Sequence, residues 1–303
     1  MRIVFAGSPE FAVPALKALH GAGVEIAAVL TQPDKPVGRK KILTPTPVKA
    51  AAVELGLPVY DFAKIREHVK DISGLADIMI TCAYGQILTR EVLNCFKGGV
   101  WNLHASLLPK FRGASPIQSA ILAGEKYTGV TVMKTELEID SGDILLVKRC
   151  EVGEKTYGEL RDELSALAAE AAVEAIGYLK AGEPLLLMQD EAGITHCKKI
   201  NKENARIDFN KTAEDIVRLI RAMNPEPVAY CLQNGSVLNI LNAQIAEGCG
   251  AAGEVLSADK KGVCVACANG AVLITELIPA GGKRMKASDY CNGRKIKAGD
   301  KLD

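Results

Sequence analysis

The chain predicts an α/β protein built on a doubly wound, mostly parallel sheet, followed by a small β-barrel. Two observations carry this. In the first part, short apolar runs alternate with helical patterns, the signature of parallel strands with helices on the sheet faces. In the last hundred residues, short strand-like runs separated by Gly turns follow one amphipathic helix, which suggests a barrel of the oligonucleotide-binding (OB) type.

Taken in order, "RIVFAG" reads as the first strand and "PEFAVPALKALHGAG" as the first helix, with Ser8 as N-cap and Pro9 at the first helical position. "VEIAAVLT", "ADIMITCAYGQIL" and "GGVWNLH" supply further strands, and "GVTVMKTELEIDSGDILLVKRCEV" gives two more joined by a turn at Ser141-Gly142. An Ala- and Glu-rich helix from about Tyr157 to Lys180 closes this part. From about Leu185 to Arg206 the periodicity fades, and the segment reads as an extended linker or a crossing segment. "TAEDIVRLIRAM" is then an amphipathic helix stopped by Asn224-Pro225, and "SVLNILNAQIA", "GEVLSA", "GVCVACA" and "AVLITELIPA" are the short strands. The expected domains are 1–184, a linker 185–206, and 207–303.

A length of 303 residues, with 48% hydrophobic and 24% charged, suits a globular protein of two domains. The formal net charge is only +1, so attraction to a nucleic acid has to come from local basic patches. Nine cysteines scattered along the chain predict reduced thiols and no disulfide framework. Met1 runs straight into a strand with no leader pattern and no later apolar run of membrane length, so a cytoplasmic location is expected.

The stretch "GGVWNLHASLLPKFRGASP" places Asn102 and His104 on one face of a strand, with Trp101 and Leu103 on the other. An amide and an imidazole at the C-terminal end of a parallel strand lie where ligand sites of open α/β sheets form. Together they suit stabilisation of a developing oxyanion.

The order and spacing of "NLHASLLPKFRGASP", "TGVT" and "DSGD" resemble the folate-dependent formyltransferases, whose fold is Rossmann-like. The resemblance implies transfer of a formyl group from 10-formyltetrahydrofolate to an amine, without a metal. It puts the catalytic trio on Asn102, His104 and Asp140, with Asp143 left as a structural alternative to Asp140. It also implies that Ser106, Leu107, Leu108 and Pro109 line the folate site and that Tyr84 and Gly85, in "AYGQIL", cradle the pterin.

Relatives sharing the trio differ in acceptor: glycinamide ribonucleotide, amino sugars on nucleotides, or methionyl-tRNA. The extra C-terminal region argues against the first. "TQPDKPVGRKKILTPTPVKAAA" gathers Lys35, Arg39, Lys40, Lys41 and Lys49 around a single acid, Asp34. It resembles the insertion by which family members acting on methionyl-tRNA grip the acceptor end of the initiator, although Lys40 stands where the family commonly has Gly. Initiator methionyl-tRNA is therefore the expected partner, with Lys35, Arg39, Lys40, Lys41 and Arg112 facing it. Residues 283–303 carry seven basic residues against three acids, so Lys283, Arg284 and Lys286 are expected to touch the tRNA backbone. The family implies a monomer. Cys264 and Cys267 have CxxC spacing without a second pair or a nearby His, and are read as buried thiols.

Overall fold

The computed structural model describes every residue except Arg39, Glu183 and Arg294. It divides into two compact units, one made of residues 1–116, 127–151 and 161–197, the other of residues 117–126, 152–160 and 198–303.

Unit 1 is built on a seven-stranded sheet. Its elements begin with β1 (Arg2–Gly7), α1 (Val13–Gly21), β2 (Glu25–Leu30), a short hairpin of β3 (Lys35–Val37) and β4 (Ile42–Thr44), and α2 (Pro47–Glu54). They continue with β5 (Val59–Tyr60), α3 (Val69–Ile72), β6 (Ile78–Cys82), α4 (Arg90–Leu93), β7 (Val100–His104) and β8 (Arg112–Gly113). β9 (Tyr127–Lys134), β10 (Ile144–Glu151), all but the first turn of the long α6 (Tyr157–Ala181) and β11 (His196–Cys197) complete the unit, whereas α5 (Pro116–Leu122) belongs, after Pro116, to the other unit. The strand order is β10-β9-β7-β6-β1-β2-β5. The pairs from β7 through β5 are parallel, while β9 and β10 add an antiparallel edge.

Central strands buried on both faces read as unbroken apolar runs. Ile3, Val4, Phe5 and Ala6 of β1 and Met79 and Ile80 of β6 are accordingly inaccessible to solvent. The chain lays β2 and β5 on one side of β1 and then crosses to β6 and β7 on the other. The carboxyl ends of β1, β6 and β7 thus flank the point where the strand order reverses, which is the crevice of such sheets.

Three sequence expectations change in detail. Ser8 does not cap the first helix, because a 3-10 turn (Glu10–Ala12) intervenes and α1 starts at Val13 with a Pro in its first turn. The Ser8 hydroxyl instead donates to the Tyr84 carbonyl and accepts from the Gln32 N–H, each at 3.2 Å, tying together the loops after three strands. The basic segment expected as a loop contains the β3–β4 hairpin. Residues 185–197 are not a free linker: Leu187 exchanges backbone hydrogen bonds with Ile144, and β11 pairs in parallel with β8.

Unit 2 carries α7 (Ala213–Ala222), whose Thr212 side chain accepts from the Asp215 N–H at 3.1 Å, and an antiparallel sheet. Its strands are β12 (Ala229–Gln233), β13 (Ser236–Ala246), β14 (Val255–Asp259), β15 (Gly262–Ala266), β16 (Ala271–Pro279) and β17 (Met285–Lys286), with α8 (Ala287–Asn292) after them. The pairing order is β12-β13-β16-β15-β14, with β17 on β16. The sheet is antiparallel, and its strand path does not close on itself among the described residues, since β12 and β14 do not pair with each other. The chain end spans the gap: Leu302 bridges Gln233 at the end of β12, and Lys301 bridges Glu254 just before β14. The sequence reading missed β12 and β17, both short.

Candidate active site

Asn102 and His104 sit at the end of β7, and the two-residue period of the strand turns both side chains the same way. Asp140 comes from the turn between β9 and β10, at φ 51°. The left-handed region is one that Asp tolerates better than most residues. The three converge: Asn102 Nδ2 lies 3.5 Å from Asp140 Oδ1, and His104 Nδ1 lies 3.5 Å from Asp140 Oδ2. The His104 side chain is 5% exposed and that of Asp140 13%, so the pair is largely dry.

Each member is fixed by a group outside the trio. The Thr81 hydroxyl, opposite Asn102 across the β6–β7 pair, donates to Asn102 Oδ1 at 2.8 Å. With its oxygen so engaged, the amide presents Nδ2 toward Asp140. His104 Nε2 lies 3.0 Å from the Phe111 carbonyl. A carbonyl only accepts, so the proton is on Nε2 and Nδ1 is the nitrogen that faces Asp140. A backbone carbonyl thus sets the ring, and Asp140 lies beside the other nitrogen.

Asp140 is itself held by the Gly113 N–H, which donates to Oδ2 at 2.8 Å. Gly113 has φ 122°, and a Cβ there would sit 2.2 Å from the Cys197 carbonyl oxygen, so only glycine fits. A further grip comes from Gln189, whose amide nitrogen donates to the carbonyls of Asp140 and Gly142, both at 2.8 Å.

The family model "Formyl transferase" matches residues 1–176, and "Formyl transferase, C-terminal domain" matches residues 199–295. The chain belongs to the formyl transferase family. A methionyl-tRNA formyltransferase of Neisseria meningitidis is 46% identical over 308 aligned residues, covering 100% of both chains. One from Ectopseudomonas mendocina is 45% identical over 97% of this chain and 95% of its own. Among solved structures, the N-formyltransferase from Helicobacter canadensis superimposes with a TM-score of 0.70 at 18% identity, covering 93% of this chain and 99% of that one. HypX from Aquifex aeolicus, in complex with tetrahydrofolic acid, gives 0.65 at 19% identity over 96% of this chain. This chain spans 46% of the HypX chain, and at such identity the likeness is one of fold.

In this formyl transferase, the segment expected to line a folate site is tied down by side-chain hydrogen bonds and packing. The Ser106 hydroxyl donates to the Lys110 carbonyl at 2.6 Å, and the Ser106 carbonyl accepts from Thr131 Oγ1 at 2.6 Å. The Leu108 N–H donates to the same Thr131 oxygen at 3.2 Å, and the Leu108 side chain packs on Met133 and Ile144. Leu107 and Pro109 are half-buried. The Tyr84 ring is buried in the core, where burial pushes its hydroxyl's pKa up, and its carbonyl accepts from Ser8 and Gln32, each at 3.2 Å. Gly85 follows at φ 75° and is exposed.

Among the residues expected to meet tRNA, Lys35, Lys40, Lys41, Lys283 and Lys286 are exposed. Arg284 is exposed too but is clasped by Glu276 through two contacts of 2.5 and 2.8 Å. Arg39 lies outside the described residues. Arg112 departs from the expectation: its side chain is 5% exposed and donates through Nε and Nη2 to Gln189 Oε1 at 3.1 and 2.9 Å, with Nη1 3.8 Å from Glu138. It points at protein and not at solvent.

Lys49 is likewise committed, to Asp34 at 2.7 Å and Asp61 at 2.8 Å. These bonds hold the ammonium above its ordinary pKa range and Asp61 below the usual carboxylate range, and they pin the root of the hairpin. The Asp34, Gln189, Phe111 and Thr81 contacts carry no sequence periodicity that would have marked them. Among the described residues no cluster of three His, Cys, Asp or Glu could hold a metal ion.

Proposed function

We propose that the chain is a methionyl-tRNA formyltransferase, which moves the formyl group of 10-formyltetrahydrofolate to the free amino group of the methionyl moiety of initiator tRNA. The observation that carries this reading is the end-to-end likeness at 46% identity to a curated enzyme of that name, with Asn102, His104 and Asp140 brought together at the carboxyl end of the sheet. The donor supplies an activated one-carbon acyl group. The residues of this chain do the rest.

Asn102 Nδ2 and a proton on His104 Nδ1 are the two donors available to the charge that develops on the formyl oxygen, each worth on the order of 100- to 1,000-fold in rate. Asp140 Oδ2, beside Nδ1, shares a proton with the imidazole. The pair can therefore take the proton that the amine loses as the new N–C bond forms, and return it to the folate nitrogen as the old C–N bond breaks. The fixed tautomer at Nε2 keeps this traffic on one nitrogen. Ser106 to Pro109 and the backbone at Tyr84-Gly85 form the folate side of the site. No step needs a metal among these residue types.

The exposed lysines at 35, 40 and 41, together with Arg39, make the hairpin the acceptor-stem grip, while Lys283, Arg284 and Lys286 serve the tRNA backbone. The chain end stitched between β12 and β14 supports reading residues 207–303 as a small OB-type tRNA-binding barrel, with residues 1–184 as the catalytic part. The protein acts as a cytoplasmic monomer in this reading. Among the described residues no helix is long and apolar enough to cross a membrane.

The test is formyl transfer to charged initiator tRNA beside elongator methionyl-tRNA, with wild type and His104→Ala. Transfer confined to the initiator and lost in the variant is expected. A folded protein that binds folate but formylates only an amino-sugar nucleotide overturns the acceptor.

A further inference from the structure

Gln189 lies in a segment whose sequence reads as featureless, yet all of its side-chain bonding capacity is used at the reacting centre. Its two amide hydrogens go to the Asp140 and Gly142 carbonyls, one on each side of the turn, both at 2.8 Å. The two lone pairs on Oε1 accept from Arg112 Nε and Nη2 at 3.1 and 2.9 Å. An amide has this donor and acceptor inventory and no more. Rotating it by half a turn would set NH₂ against a guanidinium and oxygen against two carbonyls, so its orientation is unambiguous.

The other side of Asp140 is held by the residue next to Arg112, since the Gly113 N–H donates to Oδ2 at 2.8 Å. Arg112 and Gly113 pair with β11, seven residues beyond Gln189. The segment from 187 to 197 thus binds both the backbone of the Asp140 turn and the strand that grips its carboxylate. Asp140 needs such support: its φ of 51° lies in the left-handed region, off the path of the flanking strands, and its carboxylate must stay within reach of both Asn102 and His104.

We propose that Gln189, backed by the buried Arg112, is the positioning residue for Asp140 in formyl transfer. It acts through Asp140 and touches no substrate. This rests on the assignment of Asp140 to the reacting centre made above.

The test replaces Gln189 by Met, of similar length but without hydrogen bonds, and by Glu, which keeps the partner for Arg112 but loses the donors to the turn. In folded protein each variant should lower kcat about 10- to 100-fold, as expected for a misplaced catalytic group. KM for both substrates should stay within about threefold, because binding groups are untouched. In an Asp140→Asn background, single-turnover rates should fall less than about twofold further on adding Gln189→Met, the coupling expected of residues that act as one unit.

A second readout needs no turnover: the imidazole ¹⁵N resonances of His104 should shift in Gln189→Met and Gln189→Glu. Unmoved resonances, or an unchanged kcat in a folded variant, or equal losses in both backgrounds, overturn the proposal. Wild type in the same assay separates the two claims. Absence of transfer by wild type refutes the function proposed above, while the His104 resonances still report on the clamp.

Discussion

Replacing Asn102 by alanine removes the amide donor that faces Asp140 beside His104, and the structure separates its catalytic cost from its structural cost. The lost donor should lower kcat by about two to three decades, roughly 2.7–4 kcal/mol of transition-state stabilisation. The structural cost is smaller. Thr81 loses its 2.8 Å acceptor but retains the Trp101 carbonyl at 3.4 Å, so its hydroxyl is not orphaned. The stability loss should then fall near the low end of the roughly 1–3 kcal/mol range for an unsatisfied buried group.

Asn102→Asp sharpens the comparison, because it preserves shape while setting a second carboxylate 3.5 Å from Asp140. At an effective dielectric constant of about 20, two such charges repel by about 5 kcal/mol before screening, so they will hold a proton between them. Asn102→Asp should therefore be the slower of the two at neutral pH, with His104 facing a site of altered charge. The assay is the initial rate of formyl transfer at saturating donor and initiator tRNA, with thermal unfolding in parallel. If folded Asn102→Ala keeps more than a tenth of wild-type kcat, the amide is not a transition-state donor and the reasoning fails.

Reversing charge at Lys40 and Lys41 should raise KM for tRNA, leave KM for the folate unchanged, and flatten the salt dependence of tRNA binding by about one to two units of log–log slope; an unchanged slope would remove the hairpin from the interface. Asp61→Asn should cost less than about 1 kcal/mol of stability, the scale of an exposed ion pair. The folded carboxyl lies below 3.8 and the Lys49 ammonium above 10.5. The difference from wild type should therefore hold between those limits and vanish as pH falls through the carboxyl's folded value, which chemical denaturation across pH will read; a difference that grows in acid contradicts the pairing. Brief alkylation followed by mass spectrometry should mark exposed Cys249 first and spare Cys82 and Cys231, whose thiols burial pushes up to about 12. Labelling of Cys82 as fast as Cys249 would mean that the central sheet opens readily.

What the sequence made legible was whatever repeats with a period or matches a spacing. The apolar strands around Ile3 and Met79 and the shared face of Asn102 and His104 follow from strand geometry alone, and Asp140 follows from resemblance. The contacts that complete the site are different in kind. Phe111 contributes a carbonyl, Gly113 an N–H, and Gln189 a single amide reaching back 47 residues to Gly142. Main-chain groups are the same in every residue, so composition cannot mark the ones that matter. Arg112 shows the converse. A basic residue in a motif suggests an anionic partner, but here the cation satisfies a half-buried amide, a use that only three-dimensional packing reveals. Ser8 was misplaced for a similar reason, since a local cap competes with tertiary partners for one hydroxyl.

The Phe111 carbonyl that receives the Nε2 proton of His104 has a consequence for how this protein can vary. Because the acceptor belongs to the main chain, no substitution at position 111 deletes it, and an alanine scan would pass over the group that decides which imidazole nitrogen carries the labile proton. What inheritance must protect is the path of the chain from 106 to 113, with its locked serine and its irreplaceable glycine, and not the aromatic ring that happens to sit there.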